Sequence, residues 1–269
     1  MEKRMSQVSM LMVMITLVGA VASSANLITY SRWSANKNRV MVADDSGANP
    51  VEVYQGHKFS PFGVSPSISP PGSDGSWIAF RDTDIDRGGG SALYKVRADG
   101  FGFTKVLCSG YDGVNGVPYS SVSSPKWSPN NRWIAVDTFE GIALVATDFE
   151  VGLGATGEEC AAPIQFIYPD PDADADWDKE SSVAWNHNGT QMAFFEILQP
   201  RDLGPDQIRI VVLEHQESVW YRLTEIGTDI ELFGKWPFGP DWQRGGSLLA
   251  LMTREGDGPQ GVNRITLVT

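Results

Sequence analysis

A four-residue pattern returns four times along this chain at an almost constant spacing. The copies are Pro66-Ser67-Ile68-Ser69, Pro125-Lys126-Trp127-Ser128, Val183-Ala184-Trp185-Asn186 and Pro240-Asp241-Trp242-Gln243. Their third positions lie 57 to 59 residues apart. A fixed period of this length is the sequence signature of an architecture built by repetition, and it restricts the possible folds more than any other feature here.

Short strand-forming segments follow each copy in the same order. A polar turn comes first, and then an apolar run centred on one of four alanines that are 56 to 58 residues apart: Ala79, Ala135, Ala193 and Ala250. A third strand is predicted in every unit, at 93–96, 142–145, 208–213 and 265–268, and a fourth in three units, at 104–107, 164–167 and 221–224. Residues 27–30, 40–42 and 51–54 repeat strands two to four once more, ahead of the first full unit.

Four short strands to a unit, separated by turns, are typical of the blades of a β-propeller. We therefore predict an all-β fold, a propeller of about five four-stranded blades, or six, with a period of about 58 residues. The small alanine would leave room for a Trp, Ile or Phe of the neighbouring blade. A sandwich of irregular hairpins is the alternative, but it would not give one shared register. The predicted blade units are 26–60, 61–117, 118–177, 178–234 and 235–269.

The first twenty-five residues have the pattern of a secretory signal peptide. Glu2, Lys3 and Arg4 precede an uncharged apolar run over 8–22, and small residues follow that suit a cleavage site. We predict that residues 1–25 are removed and that the mature chain, 26–269, is periplasmic or secreted, with no membrane span. An uncleaved anchor is the alternative, although about fifteen apolar residues are short for a span, which needs about twenty.

Charge and cysteine content limit the remaining possibilities. The net charge of −12 leaves no basic field for phosphates, so we expect no nucleic-acid partner. Cys108 and Cys160 are the two cysteines, and an oxidising compartment could join them in a disulfide. Two buried free thiols are the alternative.

The repeat resembles the WD40-like repeat of TolB-type propellers. The resemblance rests on Pro125-Lys126-Trp127-Ser128-Pro129-Asn130-Asn131, on Trp77-Ile78-Ala79-Phe80, and on Leu93-Tyr94-Lys95-Val96-Arg97-Ala98-Asp99-Gly100. It covers essentially all of residues 26–269, and we expect no counterpart here of the α/β domain that precedes the propeller in that family. The resemblance implies a protein or peptide partner in the cell envelope. The same family includes propellers fused to serine peptidases and propellers that cleave acidic sugars.

Residues for catalysis are sparse. The Gly-x-Ser-x-Gly motif of a serine hydrolase is absent, and the histidines number three, His57, His187 and His215. We therefore expect a non-enzymatic binding module. The alternative is a propeller enzyme, a lyase or hydrolase, that acts on polysaccharide or peptide.

An acidic loop is the sharpest remaining feature. Asp82, Asp84 and Asp86 alternate ahead of glycines 88–90 and could contribute oxygen ligands to Ca²⁺. The EF-hand pattern is not met, because Arg87 stands where glycine is required. A second acidic run occupies 170–178. The alternative for both segments is a solvated acidic loop.

Strand order places several charged and aromatic residues on the rim that carries these acidic loops. Loops after strands two and four of a blade emerge on one face, and exposed loops on a rigid scaffold are where binding usually occurs. The predicted binding face comprises Trp33, His57, Tyr111, Tyr119, Arg201 and Arg254.

Overall fold

The computed structural model describes residues 27–58, 64–72, 75–84, 86, 90–108, 122–138, 141–154, 165–166, 177–178, 183–198, 207–216, 219–226, 238–242, 249–255 and 262–268. The regular secondary structure of these ranges is β-strand, and they contain no α-helix. It follows that this part of the chain offers no helix long and apolar enough to cross a membrane.

The strands form five antiparallel sheets that follow one another along the sequence. Sheet 1 contains β1 (Leu27–Ser34), β2 (Lys37–Asp44) and β3 (Val51–Lys58). Sheet 2 contains β4 (Ser67–Ile68), β5 (Trp77–Thr83), β6 (Ser91–Arg97) and β7 (Thr104–Leu107). Sheet 3 contains β8 (Val122–Trp127), β9 (Trp133–Thr138), β10 (Gly141–Ala146) and β11 (Gln165–Phe166).

Sheets 4 and 5 continue the same plan. Sheet 4 contains β12 (Trp177–Asp178), β13 (Ala184–Trp185), β14 (Gln191–Leu198), β15 (Gln207–Gln216) and β16 (Val219–Ile226), and sheet 5 contains β17 (Phe238–Trp242), β18 (Leu249–Glu255) and β19 (Val262–Val268). The predicted all-β class is confirmed, and the strands form several small antiparallel sheets. The number of blades in a closed ring and the unit boundaries stay predictions.

One strand lies where the sequence predicted an acidic loop. β12 pairs with the far end of β14, through Trp177 and Leu198, while β13 pairs with its near end, through Ala184 and Ala193. The eight residues of β14 are long enough to accept both short strands on one edge. The acidic composition of 170–178 concealed this pairing, because Asp is depleted in strands.

Consecutive sheets pack face to face, and the alternation of side chains along each strand provides both faces. On β5, Ile78 and Phe80 are buried against Val40 and Val42 of sheet 1. Ala79 points to the other face and shares a core with residues of sheet 3. A strand buried on both faces loses the apolar–polar alternation of a half-exposed strand, which explains the continuous apolar runs in this sequence.

The repeated alanine lies opposite the repeated tryptophan of the next sheet. Ala79 of sheet 2 belongs to the same buried cluster as Trp127 of sheet 3, and Ala135 of sheet 3 to the same cluster as Trp185 of sheet 4. A larger side chain at either alanine would compete with the indole for space in a close-packed interior. This small-to-large complementarity gives the repeat pattern its physical basis.

The repeated tryptophan also forms a hydrogen bond to the preceding sheet. Trp185 donates its indole Nε1–H to the backbone carbonyl of Lys126 at 3.1 Å, and Trp242 donates to the carbonyl of Ala184 at 3.2 Å. Each acceptor residue immediately precedes the tryptophan of the previous copy. The two bonds therefore connect three consecutive sheets through one repeated contact.

Replacing Trp185 or Trp242 by phenylalanine should lower the free energy of unfolding by about 1 kcal/mol each, because the indole donor is lost while most of the apolar surface stays. Urea unfolding monitored by circular dichroism measures the change. Trp133→Phe is the matched control, since its indole N–H forms no hydrogen bond within the described ranges. Equal losses in all three variants would show that ring volume matters here and that the hydrogen bond does not.

Candidate functional site

A cleft of about 590 Å³ opens where the first strands of four sheets come together. Its walls come from β8, β13 and β17, from residues beside these strands, and from the two residues just before β4. These segments contain the repeated motif. The lining residues are Ser65, Pro66, Ser124, Pro125, Lys126, Trp127, Pro129, Val183, Ala184, Trp185 and Asp241. The same segments that carry the repeated motif therefore form this cleft.

Two serines in this lining have strained backbones. Ser65 and Ser124 occupy equivalent repeat positions and have φ values of +39° and +43°, although each precedes a proline. A residue before proline favours extended backbone, and few non-glycine residues have a positive φ. The pairing register of β8 shifts between Ser123 and Lys126, so the strain coincides with a bulge. Strain of this kind concentrates at functional sites, and the inference runs from the observed geometry to a function.

The cleft contains two exposed charges of opposite sign. Lys126 and Asp241 both line it, and both side chains are exposed. Neither forms an ion pair or a side-chain hydrogen bond within the described part of the chain. An exposed charge without a partner loses few interactions when it binds a ligand, so the two side chains are suited to a ligand that carries both a carboxylate and an amine.

The loops of this sequence do not indicate the cleft. Its sequence signal is a small residue three positions before each repeated Trp or Ile. That position holds Ser65, Ser124, Ser182 and Gly239. A small residue before proline in three of the four copies indicates a bulge that turns the following side chain.

The acidic loop forms an ion-pair network with a buried lysine. Lys105 Nζ lies 2.9 Å from Asp84 Oδ1 and 3.1 Å from Asp86 Oδ2. The side chains of Lys105 and Asp84 are 0 % exposed, whereas that of Asp86 is 37 % exposed. A buried charge needs a charged or hydrogen-bonding partner, and here lysine and aspartate are partners for each other.

Asp82 belongs to a different group of contacts, on the side of sheet 1. Its Oδ2 accepts hydrogen bonds from the Tyr54 hydroxyl at 2.8 Å and the His57 backbone N–H at 3.2 Å. His57 Nδ1 lies 3.4 Å from the same oxygen. A Cβ at Gly56 would lie 2.8 Å from this carboxylate, so only glycine allows β3 to approach it so closely. The structure thus brings together two of the predicted site residues, His57 and Asp82.

Burial and the neighbouring carboxylates keep two phenols protonated. Desolvation is the largest cause that raises the pKa of Tyr54, and the negative charge of Asp82 adds to it. Desolvation followed by the charge of Asp84 raises the pKa of Tyr94 in the same direction. Tyr54 therefore stays a hydrogen-bond donor to Asp82 at any ordinary pH.

The three carboxylates of the calcium hypothesis lie in two separate groups. Asp82 is bonded to β3, while Asp84 and Asp86 share the Lys105 ammonium. No group of three or more His, Cys, Asp or Glu side chains suited to a metal occurs among the residues described. Residues 85 and 87–89 lie outside them.

The calcium site stays a prediction. If Ca²⁺ binds the folded protein, millimolar Ca²⁺ should raise the melting temperature by mass action and chelator should reverse the rise. The response should disappear in Asp86→Asn, whose half-exposed side chain tolerates substitution better than buried Asp84. If the melting temperature does not respond to Ca²⁺, the prediction is wrong, and the Lys105 ammonium is the cation that pairs with Asp84 and Asp86.

Some of the other predicted site residues lie in the described ranges, and others lie outside them. Trp33 is exposed at the end of β1, and Arg254 lies on β18. Cys108 is fully buried next to Val151 and is disulfide-bonded. Outside the described residues lie Tyr111, Tyr119, Arg201, Cys160, residues 1–26 and 170–176.

No family model matches this sequence, and no curated protein matches it. Solved structures do match. TolB from Acinetobacter baumannii has a TM-score of 0.54 and 13% identity over 90% of this chain and 51% of its own. An oligogalacturonate lyase in complex with manganese has a TM-score of 0.51 and 11% identity over 84% of this chain and 58% of its own. A prolyl endopeptidase structure has a TM-score of 0.50 and 13% identity over 92% of this chain and 33% of its own.

These similarities establish a TolB-like β-propeller fold. The chain spans about half the length of the TolB and lyase structures that it matches. A protein named as a lyase and one named as an endopeptidase stand beside TolB, so the fold alone does not decide between binding and catalysis. The function has to be argued from the cleft.

Proposed function

We propose that this protein is an exported, non-enzymatic propeller that binds a protein or peptide segment in its cleft. The observation that supports this most directly is a pair of exposed charges in the cleft, Lys126 and Asp241, that have no partner among the described residues. Ligand sites are concave and contain a small number of placed polar groups, and this cleft has both properties.

The chemistry of the lining favours an extended peptide. Lys126 would bind a carboxylate and Asp241 an amine or guanidinium. Pro66, Pro125 and Pro129 form rigid apolar wall segments next to Trp127 and Trp185. A rigid wall costs little conformational entropy on binding, so a flexible chain is the component that becomes ordered.

The described lining lacks the nucleophile and base that a serine or cysteine hydrolase requires. It contains no histidine and no cysteine, and neither Ser65 nor Ser124 is hydrogen-bonded to Lys126 in the described residues. A nucleophilic serine needs a base within hydrogen-bond reach. This supports binding over a hydrolase that uses a serine nucleophile. The other forms of the alternative, a propeller lyase or hydrolase that acts on polysaccharide or peptide, are tested by turnover.

A peptide-binding measurement tests the proposal. A library of labelled peptides with mixed charges is screened against the purified protein, and the best peptide is titrated by fluorescence anisotropy. Lys126→Glu and Asp241→Lys should each weaken binding at least about tenfold, because each reverses a charge in the cleft. Arg132→Glu, an exposed charge reversal in the turn after β8, should change the affinity less than twofold.

Two further results would contradict the proposal. One is turnover of oligogalacturonate or of proline-containing peptides that depends on Mn²⁺ or Ca²⁺ and is lost in Asp84→Ala. The other is peptide binding that is unaffected by both cleft variants. Export is tested separately by N-terminal sequencing of the secreted chain, which should begin after Ala22 or Ala25.

A further inference from the structure

Within the described residues, sheet 1 has no counterpart of the first strand that sheets 2, 3, 4 and 5 all have. In those four sheets a short first strand pairs with the alanine-containing second strand: Ser67 with Ala79, Lys126 with Ala135, Ala184 with Ala193 and Asp241 with Ala250. In sheet 1 the order is β1-β2-β3, and β1 has one neighbour, β2.

The missing strand is the first of the unit, because β2 corresponds to β6. Both strands are followed by the same turn, in which an aspartate accepts a hydrogen bond from the backbone N–H two residues later. Ser46 donates to Asp44 at 3.1 Å, and Phe101 donates to Asp99 at 3.0 Å. β1 therefore corresponds to β5, and its open edge is the edge that carries β4 in sheet 2.

The open edge of β1 is long, apolar and unprotected. The strand has eight residues, and none of them has a further hydrogen bond or ion pair beyond those to β2 within the described chain. Three of its large side chains are exposed, Ile28 at 41%, Tyr30 at 36% and Trp33 at 56%. Exposed edges normally carry a bulge, a proline or a cover, because their unpaired N–H and C=O groups bind other strands.

The end of this edge is basic although the chain is strongly acidic. Arg32 is exposed and has no counter-ion within the described residues. It lies directly opposite Arg39, which is already paired with Glu52, and near Lys37, which donates to Gln55. Like charges opposite each other on a sheet repel, so a carboxylate placed beside Arg32 would relieve an existing cost.

We propose that the edge of β1 binds an extended acidic and apolar segment of another protein, which adds the missing first strand to sheet 1. Backbone hydrogen bonds supply affinity, and alternate side chains supply specificity, as in other cases of strand addition. Apolar residues would cover Ile28 and Tyr30, and a carboxylate would pair with Arg32. This surface is separate from the cleft and does not rest on the function proposed for it.

A synthetic strand of about ten residues tests the proposal by fluorescence anisotropy on the full chain. It carries valine at alternate positions, glutamate opposite Arg32 and tryptophan opposite Ile28. The glutamate peptide should bind at least about tenfold tighter than the same peptide with lysine, and Arg32→Glu should reverse this order. Lys126→Glu should leave both affinities unchanged, which separates this surface from the cleft.

Peptides methylated on alternate backbone nitrogens test the pairing itself. One set of amides would face β1 and the other set would face away. Methylation of the facing set should abolish binding, whereas methylation of the other set should leave it within about threefold. Equal effects of the two sets, no charge reversal with Arg32→Glu, or no binding to the full chain would each overturn the proposal. A dimer in sedimentation that the peptide does not dissociate would identify a second copy as the occupant instead.

Discussion

Replacement of Lys105 by methionine is expected to lower the free energy of unfolding by about 3–5 kcal/mol, which is the cost of removing one partner of a buried ion pair. The reason is that Asp84 would stay fully buried without its ammonium, while the methionine fits the volume of the lysine stem. Urea unfolding monitored by circular dichroism measures the loss. A loss below about 1 kcal/mol would show that water reaches this pair.

Two companion variants separate the ion pair from the packing of its side chains. Lys105→Met/Asp84→Asn removes both charges and should recover a large part of the loss, because no unpaired charge remains buried. Lys37→Met is the matched control, since the ammonium of this lysine donates an exposed hydrogen bond to the Gln55 side chain in sheet 1. Its effect should stay within about 0.5 kcal/mol, as for most surface substitutions. A double variant as unstable as Lys105→Met would show that the stem and its packing, and not the charge, determine the effect.

The repeat predicted the architecture because each unit makes the same contacts as its neighbour. The sequence indicated that Ala79 and Ala135 are small residues that face large ones. In the structure Trp127 shares a buried cluster with Ala79, and Trp185 shares one with Ala135. Local strand patterns and the period agreed, and such consistency across levels is what specifies a fold. The repeat also predicted the order of strands within a sheet, with β12 as the exception.

The chemistry of the acidic loop was not readable from the local sequence. Asp84 and Asp86 looked like calcium ligands because carboxylates that alternate before glycines often bind that ion. Their partner, Lys105, is distant in the sequence and lies on β7, where a lysine would ordinarily be assigned to the solvent face. Only the pairing of β5, β6 and β7 brings the three side chains together. The small residue before proline indicates a local bulge, but the cleft could not be predicted from it because the cleft requires four units at once.

The described contacts favour Cys160 as the disulfide partner of Cys108. Val151 and Gly152, which follow β10 on the way to Cys160, donate their backbone N–H groups to the carbonyl of Lys105 at 3.0 and 3.2 Å. Val151 also packs against Cys108. The chain therefore passes beside β7 shortly before it reaches Cys160.

Reduction of this bond should lower the free energy of unfolding by about 4 kcal/mol, because a bridge that closes about fifty residues restricts the unfolded chain. Urea unfolding with and without a phosphine reductant measures the difference, and Cys108→Ala/Cys160→Ala should show no further loss on reduction. Unreduced, unfolded protein should not react with Ellman's reagent. Two reactive thiols per chain would contradict the pairing. A disulfide-linked dimer on non-reducing gels would show that the bond forms between two chains instead.

Since Cys108 directly follows β7, loss of the bridge should also weaken the Lys105 network. The effects of reduction and of Lys105→Met on the free energy of unfolding should therefore be less than additive.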